Sequence, residues 1–341
     1  MRTIGICMRH FVKIAFLLSL SCSCAWAAGP ISIAVLPAEN LTGGTNEVHW
    51  CYSIPSLVDS ELGKNSHFQI LPYQSVDYAQ RYYHIVPGQR ISIDLALKFG
   101  ELIEARDVFL EDYERSNGVW ILDCQIVNVP SGKAFPNINA SSTNLFQDIL
   151  RIRDGLFKQL KILPTDEDKQ RSSSPPTSSF EAFEWWSRAN FCARTIFSVP
   201  EIVNDLKKAI SFDSRYAIAQ QTLAHYLLFQ GNVNEALSLA TQCITNCPDD
   251  SQAHIALAEV DIQENLMDLA EHELLDAVRL DPDNFKSYKK LAQLYAQRND
   301  WGQMVSCLEK AESISPYDAS THAELSIGYL HLSQRFAAKC L

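Results

Sequence analysis

Ala217–Asp250 reads A-I-A-Q-Q-T-L-A-H-Y-L-L-F-Q-G-N-V-N-E-A-L-S-L-A-T-Q-C-I-T-N-C-P-D-D, and its register returns along the chain. Pro248, Pro282 and Pro316 stand 34 residues apart. Leu223, Leu257, Leu291 and Leu325 keep the same spacing, as do Ala224, Ala258, Ala292 and Ser326, and Ala236, Ala270, Met304 and Ala338. A period of this length with small residues and leucines in register predicts a solenoid of stacked helix pairs. Each repeat buries its apolar face against its neighbours and leaves a long concave surface. Such a surface binds rather than reacts.

Working outward, the frame gives units at 183–216, 217–250, 251–284 and 285–318, with a partial unit at 319–341. The first is degenerate: Ser214 stands in the proline column, while Ala189, Ile202, Leu206 and Ala209 keep the packing positions. The leucines at 223, 257 and 291 face the second helix of their pair, and the alanines let helices approach closely. Each Asp-Pro or Cys-Pro ends a second helix, because proline lacks the donor and disfavours helix in the residue before it. Gly231, Asn265 and Asn299 fall in the turn within each pair, where a left-handed conformation is tolerated.

These columns, with the turn phrases L-D-P-D-N and I-S-P-Y-D, resemble the tetratricopeptide repeat (TPR) family. The resemblance implies an all-α superhelical array whose first helices line the inner surface. Carried onto this sequence, the inward set is Ile218, Gln221, His225 and Phe229, then Gln252, Ile255, Glu259 and Gln263, then Lys286, Lys289, Gln293 and Gln297. Lys286 and Lys289 suit an acidic segment or a terminal carboxylate. Solvated lysines are the plainer reading.

The chain has 341 residues, enough for two domains. Residues 1–27 read as a signal peptide: Arg2, Arg9 and Lys13, an apolar stretch at Ile14–Cys24, then Ala25-Trp26-Ala27. Export to the periplasm is the expectation, with an outer-membrane lipoprotein anchored through Cys22 or Cys24 as the alternative. No later stretch reaches transmembrane length. The net charge is −11, and removing the three leader cations leaves −14. With no basic stripe, nucleic acid is a poor partner.

Residues 28–164 alternate strand and helix signals. Ile31–Leu36 and Phe68–Leu71 read as strands, Ile54–Gly63 and Ile93–Phe99 as helices. Asp107–Glu114 and Val119–Val129 form a hairpin at Asn117-Gly118. A strand near Lys133–Ala140 and an amphipathic helix over Leu145–Leu160 complete an α/β domain with a mixed sheet. The phrases at Ile33–Gly43, Phe99–Glu111 and Val127–Lys133 resemble the TolB amino-terminal-like domain of the CsgG/FlgO-related group, which often precedes TPR arrays. Residues 165–179, rich in Ser and Pro, read as a linker to the array at 180–341.

No catalytic, cofactor or metal site is expected. Gly43-Gly44 lacks the spacing of a phosphate loop. His49, Cys51, His67 and His84 have no ligand spacing. Asp107, Glu111, Asp112 and Glu114 are read as a solvated strand edge. Seven cysteines follow the leader and are read as small buried hydrophobes, with disulfides left open. The expectation is an exported, non-enzymatic adaptor binding a protein or peptide through the groove. The alternative is an envelope-assembly component whose N-terminal domain oligomerises or docks to a membrane complex. Leu341 falls inside the expected second helix of the fifth unit, so self-association through an uncapped end is a further expectation.

Overall fold

The computed structural model describes residues 30–44, 47–65, 67–165, 175–315 and 318–339. The leader, the middle of the linker, Pro316 and Cys340 lie outside them. The N-terminal half contains β1 (Ile31–Val35), β2 (Glu39–Asn40), α1 (Trp50–Gly63), β3 (Phe68–Ile70), α2 (Tyr73–Tyr82), α3 (Ile93–Leu102), β4 (Asp107–Ser116), β5 (Val119–Asn128), β6 (Lys133–Ala134), β7 (Ile138–Ser142) and α4 (Leu145–Leu160). These strands form one mixed sheet in the order β3-β1-β4-β5-β6, with β2 extending the β1 side of β4 and β7 pairing β5. β1 runs parallel to β3 and β4, and β4 and β5 form the antiparallel hairpin. Asn117 and Gly118 both hold positive φ at its tip, as a two-residue hairpin of this twist requires.

Alternation along the strands feeds two cores. Ile33, Val35, Phe109, Tyr113, Trp120, Leu122 and Ile126 pack beneath α1 and α4. Ala34, Leu36 and Val108 pack with Phe99 of α3, Ile103 just after it, and Val76 and Ala79 of α2. The charged run on β4 is not an edge. β4 lies between β1 and β5, and Asp107 and Glu111 are 1% and 3% exposed. Asp107 is bonded to Asn128 (2.8 Å), whereas neither oxygen of Glu111 has a partner.

The second half is helical: α5 (Phe180–Thr195), α6 (Val199–Phe212), α7 (Ala217–Phe229), α8 (Val233–Asn246), α9 (Ser251–Gln263), α10 (Met267–Leu280), α11 (Phe285–Gln297), α12 (Trp301–Ile314) and α13 (Ala319–Lys339). The turn column begins one unit earlier than the glycine: Phe197, Gly231, Asn265 and Asn299 all hold positive φ, between 53° and 79°. Ala224, Ala258, Ala292, Ala236 and Ala270 have no exposed surface. The fifth unit departs from the frame. Its turn position is Ser333, which is neither glycine nor asparagine, and α13 continues through it as one helix. The expected second helix therefore does not appear there.

The leucine column is not uniform. Leu223 and Leu291 are 3% and 2% exposed, but Leu257 is half-buried at the margin of the core. Leu257→Ala should cost about 1–2 kcal/mol, because part of the side chain already faces water. Chemical denaturation checks this; a loss as large as that of a fully buried leucine would contradict the placement.

The two halves share a core. Trp50 of α1 has no exposed surface and contacts Trp120 (5.0 Å, edge-on), Phe180 (5.6 Å) and Phe183 (5.8 Å). Ser53 and Ser187 hydroxyls meet at 2.6 Å inside this contact. Arg115 covers it, lying over Trp120 and Phe180 and paired with Glu47 and Glu184. Trp186 stacks on Phe183 and meets Tyr216, while Trp185 lies beneath the Lys208 ammonium.

Candidate functional site

The helical frame sorts the predicted groove residues into four columns, and the structure treats them differently. His225, Glu259 and Gln293 form one column; Phe229, Gln263 and Gln297 form the next, one turn along. These six line a single pocket of about 220 Å³, completed by Leu228, Ile262, Lys290 and Leu294. Three successive first helices, α7, α9 and α11, contribute to it. The column Gln221, Ile255 and Lys289 is turned inward: Gln221 is buried, Ile255 is fully enclosed, and Lys289 bonds Asp318 (3.0 Å) and Ser320 of the next unit. Ile218 and Gln252 are half-buried, and Lys286 is exposed.

At the floor, Glu259 is 8% exposed and accepts from His225 Nδ1 and Lys290 Nζ, each at 3.2 Å. Burial opposes its ionisation, but the His225 hydrogen bond and the Lys290 charge outweigh burial and hold its pKa below the usual range. The carboxylate thus ties three repeats together. Above it the pocket offers three exposed glutamine amides and an apolar wall. Gln263, Gln293 and Gln297 each carry donors and an acceptor, the combination that satisfies a peptide backbone.

The rim is aromatic. Phe229 is 69% exposed and Phe197 57% exposed, their rings 6.4 Å apart, with Tyr226 beside Phe197. Phe197 occupies the left-handed turn position at φ 53°, which a bulky side chain adopts only under strain. Lys290, Leu228, Ile262, Leu294 and Phe197 were not singled out from the sequence. Lys290 was nonetheless detectable, four residues after Lys286 on one face of α11.

A larger concavity, about 450 Å³, lies on the opposite face of the sheet between β2, β4, β5 and the start of α3. Glu39, Asp112, Asp123 and Arg90 line it. Burial first, then the neighbouring Glu39 and Asp123, push the Asp112 carboxyl up to about 6. No group of three or more metal-type ligands occurs among the described residues. His49 lies against Trp50, Cys51 is buried, and His67 bonds Asn65. Six cysteines, Cys51, Cys124, Cys192, Cys243, Cys247 and Cys307, are free thiols.

An α/β domain followed by stacked helix pairs with a pocket on their inner face defines a two-part helical-repeat protein. Residues 217–260 match the model of the tetratricopeptide repeat family. No curated protein matches the chain. Among solved structures the chain is similar to TTC0263, a thermophilic TPR protein of Thermus thermophilus, at 18% identity, TM-score 0.40, covering 54% of this chain and 98% of that one. It is also similar to MamA, at 17% identity and TM-score 0.36 over 46% of this chain and 86% of that one. A third is YrrB, a TPR protein with an unusual peptide-binding site, at 18% identity and TM-score 0.33 over 52% and 88%. No helix of the described residues is long and apolar enough to cross a membrane.

Proposed function

We propose that this protein is an exported, non-enzymatic scaffold that holds an extended peptide segment in the groove of its helical array. The observation that carries this reading is the pocket built by two columns of the repeat from three consecutive units. An apolar side chain fits between Leu228, Ile262 and Leu294, and the glutamines satisfy the flanking backbone. The exposed, strained Phe197 supports a rim used for contact rather than for packing.

Selection from a displayed random-peptide library with the full chain tests it. A photo-crosslinking residue at Gln293 should capture the selected peptides, and one at Gln242 on α8 should not. Phe197→Gly should raise thermal stability, by about 1 kcal/mol, by relieving the left-handed strain, yet weaken those peptides. Capture at Gln242 instead, or no selectable peptide, would remove the groove as the binding surface.

A further inference from the structure

We propose that the inner surface carries an anion-binding centre, formed by Arg194 and Lys286, that selects a segment bearing internal Asp or Glu side chains. This rests on the groove reading above and names the chemistry of its occupant. Of the cations on α5, α7, α9 and α11, three are spoken for: Arg188 pairs with Glu184, Lys289 with Asp318 and Glu324, and Lys290 with Glu259. Arg194 and Lys286 make no ion pair among the described residues. They are exposed cations on an inner surface, in a chain whose net charge is −11.

Arg194 is held in place without being neutralised. Its guanidinium lies 3.7 Å over Tyr73 and 4.9 Å from the ring of Tyr52, and its Nε bonds Asn190. Tyr73 and Tyr52 come from α2 and α1, so the N-terminal domain supplies one wall of the centre. The carboxyls on that wall do not compensate the charge: Asp77 is engaged by Arg81 (2.9 Å) and by the Tyr73 hydroxyl. Asp59 is pushed by burial to about 8 and is held neutral. Lys286 lies in the inner curve of α11. Desolvation lowers its pKa first, Glu259 opposes this, and the charges of Arg194 and Lys290 lower it further. Glu259, the carboxylate that reaches Lys286, is already paired with His225 and Lys290; two cations with no ion pair of their own are the complement of an acidic segment. They stand on separate helices, which suits side chains spaced along a peptide better than one terminal carboxylate.

The probe is a fluorescent dodecapeptide of alternating Glu and Leu, acetylated and amidated, measured by anisotropy on the full chain. Its Gln-for-Glu counterpart and its free-acid form are run beside it. The Glu peptide should bind, and binding should weaken with salt. Arg194→Gln with Lys286→Gln should weaken it at least about tenfold. Arg194→Lys should retain most of the affinity, which separates charge from the Tyr73 contact, and Lys310→Gln should change nothing. Equal affinity in the double Gln variant would overturn the centre. If Glu and Gln peptides bind alike and crosslink at Gln293, the groove stands and the charge selection fails. If only the free acid binds, a terminal carboxylate is the ligand and the internal-acid assignment is wrong. If no peptide binds and none crosslinks at Gln293, both readings fall.

Discussion

Glu111→Leu should stabilise the protein at pH 8 and remove much of the loss of stability between pH 5 and 8. Glu111 is on the central strand β4, 3% exposed, with neither carboxyl oxygen hydrogen-bonded. Across the core, Asp59 of α1 is half-buried as a residue, but its Oδ1 has no access to solvent and no partner. Burial raises both carboxyls, and the charge of Asp59 raises Glu111 further; Glu111 titrates well above the ordinary range and Asp59 at about 8. Unfolded, Asp and Glu ionise near pH 4. Because the folded values are higher, this contribution to stability is complete below about pH 4. It is lost as pH rises towards the folded values. Asp112, raised to about 6, adds loss in the same direction. Asp318, at about 2, and Glu259 have the opposite sign, but their windows lie in acid and do not mask the slope above pH 5. Leucine has nearly the volume of glutamate and no charge to desolvate, so the gain at pH 8 is about 1–3 kcal/mol. Urea denaturation of both proteins at pH 5 and pH 8 measures it. An unchanged difference between the two pH values would show that Glu111 does not carry the penalty.

How much of this was legible depends on whether a feature is local. The helical array was readable because each unit must solve the same packing problem, so Ala224, Ala258 and Ala292 repeat at one spacing. The helix Leu145–Leu160 was readable from its single apolar stripe. Helix α2 was not, because it buries only Ser75, Val76, Ala79 and Gln80 and exposes its tyrosines. For β4, alternation split Asp107 and Glu111 from Asp112 and Glu114, as the strand period requires. Whether that strand is central or at an edge is set by strand order, which no local pattern encodes. The groove columns at 225 and 229 followed from the period. Lys289 lay on the frame but is drawn to Asp318 by the next turn. Arg194 was missed because it belongs to the degenerate first unit, and its setting comes from Tyr73, over a hundred residues away in sequence.

Trp50→Ala should cost about 3–5 kcal/mol and unfold both halves of the chain together. The indole fills the join between the domains, against Trp120 on one side and Phe180 and Phe183 on the other, and its Nε1 donates to Glu47 at 2.7 Å. Truncation leaves a cavity lined by aromatic rings from the sheet and from α5, which cannot collapse without moving one domain relative to the other. The same geometry decides whether the halves stay together once the chain is cut. The Ser/Pro segment should be cleaved first by limited proteolysis, ahead of Thr177, which is buried and bonds Asp213 of the array, giving fragments near residues 28–165 and 180–341. In the wild-type chain these fragments should elute together from gel filtration, because their contact is a continuous apolar core with the Ser53–Ser187 hydrogen bond inside it. After Trp50→Ala they should separate or precipitate. Wild-type fragments that part on cleavage, or a Trp50→Ala protein in which the helical array melts at its original temperature, would show that the array does not depend on the α/β domain. The wall that Tyr52 and Tyr73 lend to the groove would then be a loose contact rather than a fixed part of the binding surface.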